Sequence, residues 1–183
     1  METNKNKGVE PTIFIINLNS PQPLGLILGK SNKSEAVRAI EKEGGKITDP
    51  DLRLQPTTSI MDVAGLKIEH LATSKFWFYM DVLFGVSYRF HVSLDKKEFF
   101  ELITKLKSNY GDPIKYIAPP YFQGGLALWK YSDVEVELTA PLVSEMMCLE
   151  YRHVPTFREA AKEEKSMSYS SEKKVIKRDE KGL

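Results

Sequence analysis

Gly25-Leu-Ile-Leu-Gly29-Lys30-Ser31 sets two glycines, a lysine and a serine ahead of a helix-forming stretch, the residue types that wrap a phosphate. A phosphate loop needs four residues between its glycines to turn the backbone N–H groups inward. Here there are three, Leu-Ile-Leu, which favour burial. The stretch therefore reads as a strand edge leading into a capped helix, and no nucleotide or other cofactor is expected. His70, His91 and His153 are far apart, and none has zinc-type spacing with another or with Cys148, so no metal site is expected. Cys148 lies in an apolar run and reads as a small buried residue rather than a nucleophile. Glu135 and Glu137 alternate with Val134, Val136 and Leu138. Paired carboxylates do acid–base chemistry, but residues two apart on an outer strand face are ordinarily hydrated. The chain carries no catalytic signature.

Aromatic residues offer a different chemistry, that of contact. Phe76-Trp77-Phe78-Tyr79 is apolar on both faces and lacks the interleaved Lys and Arg of a base-stacking platform, so nucleic acid is not an expected partner. Tyr121 and Phe122 sit between Pro119-Pro120 and Gly124-Gly125, where no strand period buries them. Leu83 and Phe84 fall at an expected hairpin tip, where Asn, Asp or Gly would be usual. These four, Leu83, Phe84, Tyr121 and Phe122, are the candidate interaction residues. They contact a partner, a second copy, or the domain itself.

The elements that must position them centre on Phe84 to Pro113. Phe84, Val86, Tyr88, Phe90, Val92 and Leu94 alternate with smaller or polar residues, the period of a strand with one buried face. Phe99, Leu102, Ile103, Leu106 and Tyr110 then fall at helical spacing. Asp95 and Glu98 stand at N-cap and N3 positions of a capping box, and Gly111 with Pro113 ends the helix. Phe76, Phe78, Met80 and Val82 share parity with the apolar set after Phe84. Keeping that parity across a hairpin requires an odd loop, and Leu83-Phe84-Gly85 fits a three-residue turn.

Taken in order, Thr12 to Leu18 predicts a first strand, and Asn32 with Glu35 caps a helix that carries Ala36, Val37 and Ile40 and ends at Gly44-Gly45. Strands are expected at Lys46–Leu54, Ile60–Leu71 and Phe76–Val82, then at 114–118, 126–131, 134–138 and 146–151. Thr156 with Glu159 opens a smaller helix bearing Phe157, Ala160 and Ala161. The fold class is α+β: a mainly antiparallel sheet with two principal helices packed on one face and a smaller C-terminal helix. Residues 1–11 read as a flexible N-terminus, 12–165 as a single domain and 166–183 as a charged, disordered tail.

Hydrophobic residues make up 42% and charged residues 28%, with a formal net charge of +1. No global field argues for nucleic acid or an acidic membrane. No stretch reaches the roughly 20 apolar residues of a membrane span, and no signal peptide heads the chain as written. That predicts a cytoplasmic protein, or a periplasmic or envelope one if the chain is a processed fragment.

Gly29-Lys30-Ser31 running into Ser34-Glu35-Ala36-Val37 resembles the helix opening of small bacterial envelope modules, the BamE/SmpA-like lipoproteins and the β-lactamase-inhibitor-protein-like repeats. The run from Tyr88 through Phe99 and Leu106 to Tyr110-Gly111-Asp112-Pro113 is similar to a strand, helix, "YGxP" pattern of uncharacterised bacterial proteins. The chain departs from the envelope modules in lacking a cysteine near its start and in having Gly44-Gly45 after the first helix. The resemblance implies a non-enzymatic antiparallel α+β module that binds other proteins or itself. The alternative is a small-molecule binding protein or enzyme with its pocket between the sheet and the Pro119 to Gly125 loop.

Overall fold

The computed structural model describes residues 20–53, 56–119 and 124–179, with backbone alone over 167–179. The expected strand at Thr12–Leu18 lies outside the described residues. After a 3-10 turn at Pro23–Gly25 come α1 (Lys33–Lys42), β1 (Lys46–Arg53), β2 (Thr58–Ala64), β3 (Leu71–Tyr79) and β4 (Val82–His91). Then follow α2 (Lys97–Tyr110), β5 (Lys115–Ile117), β6 (Gly125–Lys130), β7 (Val134–Ala140), β8 (Met146–His153) and α3 (Val154–Asp179). The strands form one eight-stranded sheet in the order β1-β2-β3-β4-β8-β7-β6-β5, antiparallel at every pairing. The α+β class follows.

Cross-strand register aligns Met61, Phe76, Val86, Tyr151, Val136 and Trp129 in one row across six strands. Because side chains alternate along each strand, a row in register shares a face. These residues form a single buried cluster with Ala36 and Ile40 of α1 and Phe99, Ile103 and Leu106 of α2. Each large side chain withdrawn from water in this way contributes about 1.5–3 kcal/mol.

Local chemistry explains the helix ends. Asn32 accepts from Glu35 N at 2.9 Å while Glu35 Oε2 accepts from Asn32 N at 3.0 Å, a complete capping box. Gly44, at φ 77°, takes the left-handed turn that closes α1. α2 departs from expectation. Its N-cap is Lys96, left-handed at φ 59°, and not Asp95. Glu98 instead accepts from Ser93 N at 2.9 Å and Ser93 Oγ at 2.5 Å, folding the preceding loop back on the helix. Lys96 Nζ is drawn to the Ser144 carbonyl oxygen. The tether to the loop before β8 therefore outweighs the local Asp cap. At its C-terminus, Trp129 Nε1 donates to Gly111 O at 2.8 Å and Tyr131 Oη to Tyr110 O at 3.3 Å. Side chains from β6 and just beyond it thus satisfy carbonyls that the helix leaves open.

Three further expectations are corrected. The hairpin tip is Met80-Asp81, both at positive φ (47° and 68°), with Tyr79 paired to Val82. A two-residue turn with both residues at positive φ matches the twist of the flanking strands. The odd count that parity demands comes from a β-bulge: Trp77 faces Gly85, whereas Phe78 faces Leu83. Leu94 does not continue the strand; it lies beyond β4 and is 84% exposed. α3 is not the smaller helix. It starts at Val154, before Thr156, and runs to Asp179 as the longest of the three. Thr156 Oγ1 bonds the His153 ring at 2.8 Å instead of capping.

A candidate ligand cleft between the sheet and α3

Alternation along β4 leaves Gly85, Ser87 and Arg89 on the face opposite the buried row. Register then builds two polar rows there. One reads Ile60, Trp77, Gly85, Arg152, Glu135, Lys130; the other reads Asp62, Lys75, Ser87, Glu150, Glu137, Leu128. Gly85 is unusual because it occupies a central strand, where glycine forgoes packing and weakens the sheet. Its missing side chain leaves room between Trp77 and Arg152. A Cβ built there would meet Trp77 at 3.4 Å, an ordinary contact.

α3 closes this room from above. Phe157 lies against Phe84 with ring centroids 6.4 Å apart, and the Arg152 guanidinium sits 4.8 Å over the Phe157 ring. The result is a cleft in two lobes. The larger, about 200 Å³, is lined by Trp77, Phe84, Gly85, Ser87, Glu150, Arg152 and Phe157 among others. The smaller, about 130 Å³, shares Trp77, Phe84 and Phe157 and extends to Ala160, Ala161 and Glu164. Three aromatic walls with a few charged groups are what ligand seats are made of.

The charged groups are partly committed. Arg152 Nη2 donates to Glu150 Oε2 at 3.0 Å. Lys130 pairs with Glu135 at 2.9 Å and Lys75 with Asp62 at 3.2 Å. Ser87 Oγ lies 3.3 Å from Cys148 Sγ. Burial pushes the Cys148 thiol up, which suits a packing role and disfavours the thiolate a nucleophile needs.

The residues singled out from sequence are scattered relative to this cleft. Leu83 and Phe84 lie within β4, 0% and 5% exposed; Leu83 belongs to the core cluster, whereas Phe84 forms a wall of the cleft. Tyr121 and Phe122 lie outside the described residues. The Gly25–Ser31 stretch spends its amides internally: Gly29 N donates to Leu83 O at 2.8 Å, and Lys30 N and Ser31 N both donate to Ile27 O. His91 is exposed, His70 is 3.5 Å from Glu69, and His153 bonds Thr156. Among the described residues no group of three His, Cys, Asp or Glu is placed to hold a metal ion, and no helix is long and apolar enough to cross a membrane. Sequence reasoning missed Trp77, Gly85, Arg152 and Phe157 as a group. Gly85 was the legible signal, a glycine inside an otherwise regular strand pattern.

Fold and cleft define an antiparallel α+β domain with an apolar cleft between its sheet and α3. The chain belongs to the TP0088 domain family, whose model matches residues 24–163. That family takes the place of the BamE/SmpA-like and β-lactamase-inhibitor-protein-like modules, whose resemblance finds no support in it. Among solved structures the chain is similar to a DUF4309 family protein (YjgB) from Bacillus subtilis subsp. subtilis str. 168. Identity is 10% and the TM-score 0.42, over 70% of this chain and 82% of that one. No curated protein matches.

Proposed function

We propose that this protein is a non-catalytic binding module that seats an apolar group of a partner protein in the cleft over Gly85. The observation that supports this reading is the glycine itself: a central strand forgoes a side chain where Trp77, Phe84 and Phe157 converge. On this reading α1 and α2 share the apolar face of the sheet, which leaves the opposite face to α3 and the ligand. The binding unit is residues 12–165, so removing 166–183 should leave the melting temperature within about 2 °C, a shift worth about 1 kcal/mol or less. Tyr121 and Phe122 are a second proposed contact, tested by changing both to Ser and measuring partner capture against an unchanged melting temperature.

The cleft is tested with N-phenyl-1-naphthylamine, a neutral fluorophore that brightens in apolar sites. Wild-type protein should give saturable enhancement with energy transfer from Trp77. Gly85→Val fills the larger lobe with a strand-favouring residue, and Phe157→Ser opens its roof. Both should abolish the signal while circular dichroism stays native. Enhancement that is unsaturable, or that survives both changes in folded protein, would overturn the reading.

A further inference from the structure

α3 is held to the sheet unevenly along its length. Its start is fixed. β8 passes into it with no intervening residue, His153 ending the strand and Val154 opening the helix. Val154 N donates to Asp133 O at 2.8 Å, and the His153 ring bonds Thr156 Oγ1. The same ring lies so close to Gly29 that a Cβ there would meet it at 2.5 Å. The Arg152 guanidinium over the Phe157 ring completes the junction.

Beyond Phe157 the helix rests lightly. Ala160 is 8% exposed, yet neither it nor any other described residue of α3 belongs to the buried core cluster, which α1 and α2 both enter. Ala160 and Ala161 each offer one methyl group, so little apolar area binds this part to the sheet. The Glu163 carboxylate lies beside the Tyr79 hydroxyl of β3 and pushes that phenol up. Glu163 Oε2 is nevertheless buried without a hydrogen-bond partner among the described residues. A buried oxygen left unpaired costs free energy that exposure to water returns. The closed position of α3 is thus weakly held and partly opposed.

The space beneath is undersized as it stands. Its lobes measure about 200 and 130 Å³, whereas small-molecule pockets usually begin at roughly 300 Å³. The smaller lobe lies under Ala160 and Ala161, so it widens if the helix swings outward from its fixed start. Residues at the end of an element commonly absorb such a swing while the element moves as a body. We propose that α3 is a hinged cover, pivoting at the β8–α3 junction, which must lift before a ligand can enter the cleft. This rests on the binding-module reading and adds how its site opens.

Hydrogen exchange on the full chain, read by mass spectrometry, tests the motion. Amides of 157–165 should exchange about tenfold or more faster than those of α1 and α2. Saturating N-phenyl-1-naphthylamine should slow them and leave α1 and α2 unchanged. Protection equal to that of α1 and α2, or unaltered by the fluorophore, overturns the hinge. A covalent bridge tests the entry step. Tyr79→Cys with Glu163→Cys, in a Cys148→Ala background, is joined by bismaleimidoethane and compared with the same protein left unbridged. Neither position lines a lobe, so the bridge restrains the helix without filling the cleft. Fluorophore uptake in stopped flow should slow by about tenfold or more while circular dichroism stays native. Equal rates with and without the bridge overturn the inference and leave the cleft as a seat. If the wild-type chain takes up no fluorophore, the binding-module reading falls and the inference falls with it.

Discussion

The two faces of the sheet are built from the same strands yet spend their side chains differently. On one, Met61, Phe76, Val86, Tyr151, Val136 and Trp129 run in register and belong to a buried cluster that also holds apolar residues of α1 and α2. On the other, the row through Trp77 passes over a glycine to an arginine and a glutamate, and α3 covers it with an aromatic ring that is itself 41% exposed. The first face stabilises the fold through close packing. The second leaves volume unfilled beside the Glu150–Arg152 pair, and the proposed function rests on that unfilled volume. On the proposed function, stability and binding are divided by face, and each should be open to perturbation with little effect on the other.

The widest separation between the faces should come from β4 itself. Phe90 is buried in the core cluster, so Phe90→Ala should cost about 3–5 kcal/mol. Its neighbour His91 is exposed, and His91→Ala should cost under about 0.5 kcal/mol. Chemical denaturation of both would break the comparison if the losses were equal.

A smaller loss is expected where α2 is held to the loop before it. Burial alone would raise the Glu98 carboxyl, but the hydroxyl and amide of Ser93 outweigh it and bring it to about 2. Glu98→Gln should cost about 1.5–3 kcal/mol at pH 7, the range for a hydrogen bond to a charged group. A depressed pKa stabilises above the unfolded value, so the wild-type advantage should be complete above about 4.5 and fade as pH falls toward 2. An advantage that instead faded on raising the pH through neutrality would rule out this carboxylate as the tether.

The hairpin tip is separate from the bulge that puts Phe84 at the cleft. Met80 and Asp81 both hold a left-handed backbone that disfavours their side chains. Replacing them with Asn-Gly should stabilise the protein by about 1 kcal/mol and leave fluorophore uptake unchanged. Lost uptake would mean that the bulge, and with it the cleft wall at Phe84, depends on the wild-type turn.

The smallest effect should come from the outer face. Glu137→Lys relieves the pairing with Glu150 and should stabilise by about 0.5 kcal/mol. A loss of stability in thermal denaturation would show that Glu137 is already compensated.

Much of this division is legible in the amino-acid sequence. The alternation from Val86 to Val92 marks the buried side of β4, and the Phe99, Ile103, Leu106 spacing marks the buried side of α2. The box at Asn32 and Glu35 forms as its spacing implies. Two similar local signals fail for different reasons. Asp95 and Thr156 have cap-like spacing, but other contacts displace the cap: Lys96 reaches the distant Ser144 carbonyl, and the Thr156 hydroxyl is taken by the His153 ring three residues back. Parity across the hairpin is a sound signal, yet a bulge within a strand and an extra loop residue have the same effect on parity, so sequence could not choose between them. The cleft is harder still. Its walls come from Trp77, Phe84, Arg152 and Phe157, and no local period links residues that far apart.

What the amino-acid sequence determined by itself is the set of periods and stops: which segments are strands or helices, and which side of each is apolar. These follow from backbone sterics and from the cost of leaving apolar surface wet, and both act within a few residues. Only the tertiary structure decided strand order, and with it that β8 lies between β4 and β7. That one placement puts Arg152 beside Gly85 and Glu150 opposite Glu137, and brings Phe157 over both rows. Strand order is a choice among long-range pairings that each segment's own pattern satisfies equally well. It is settled only when all the apolar sides must close into a single core.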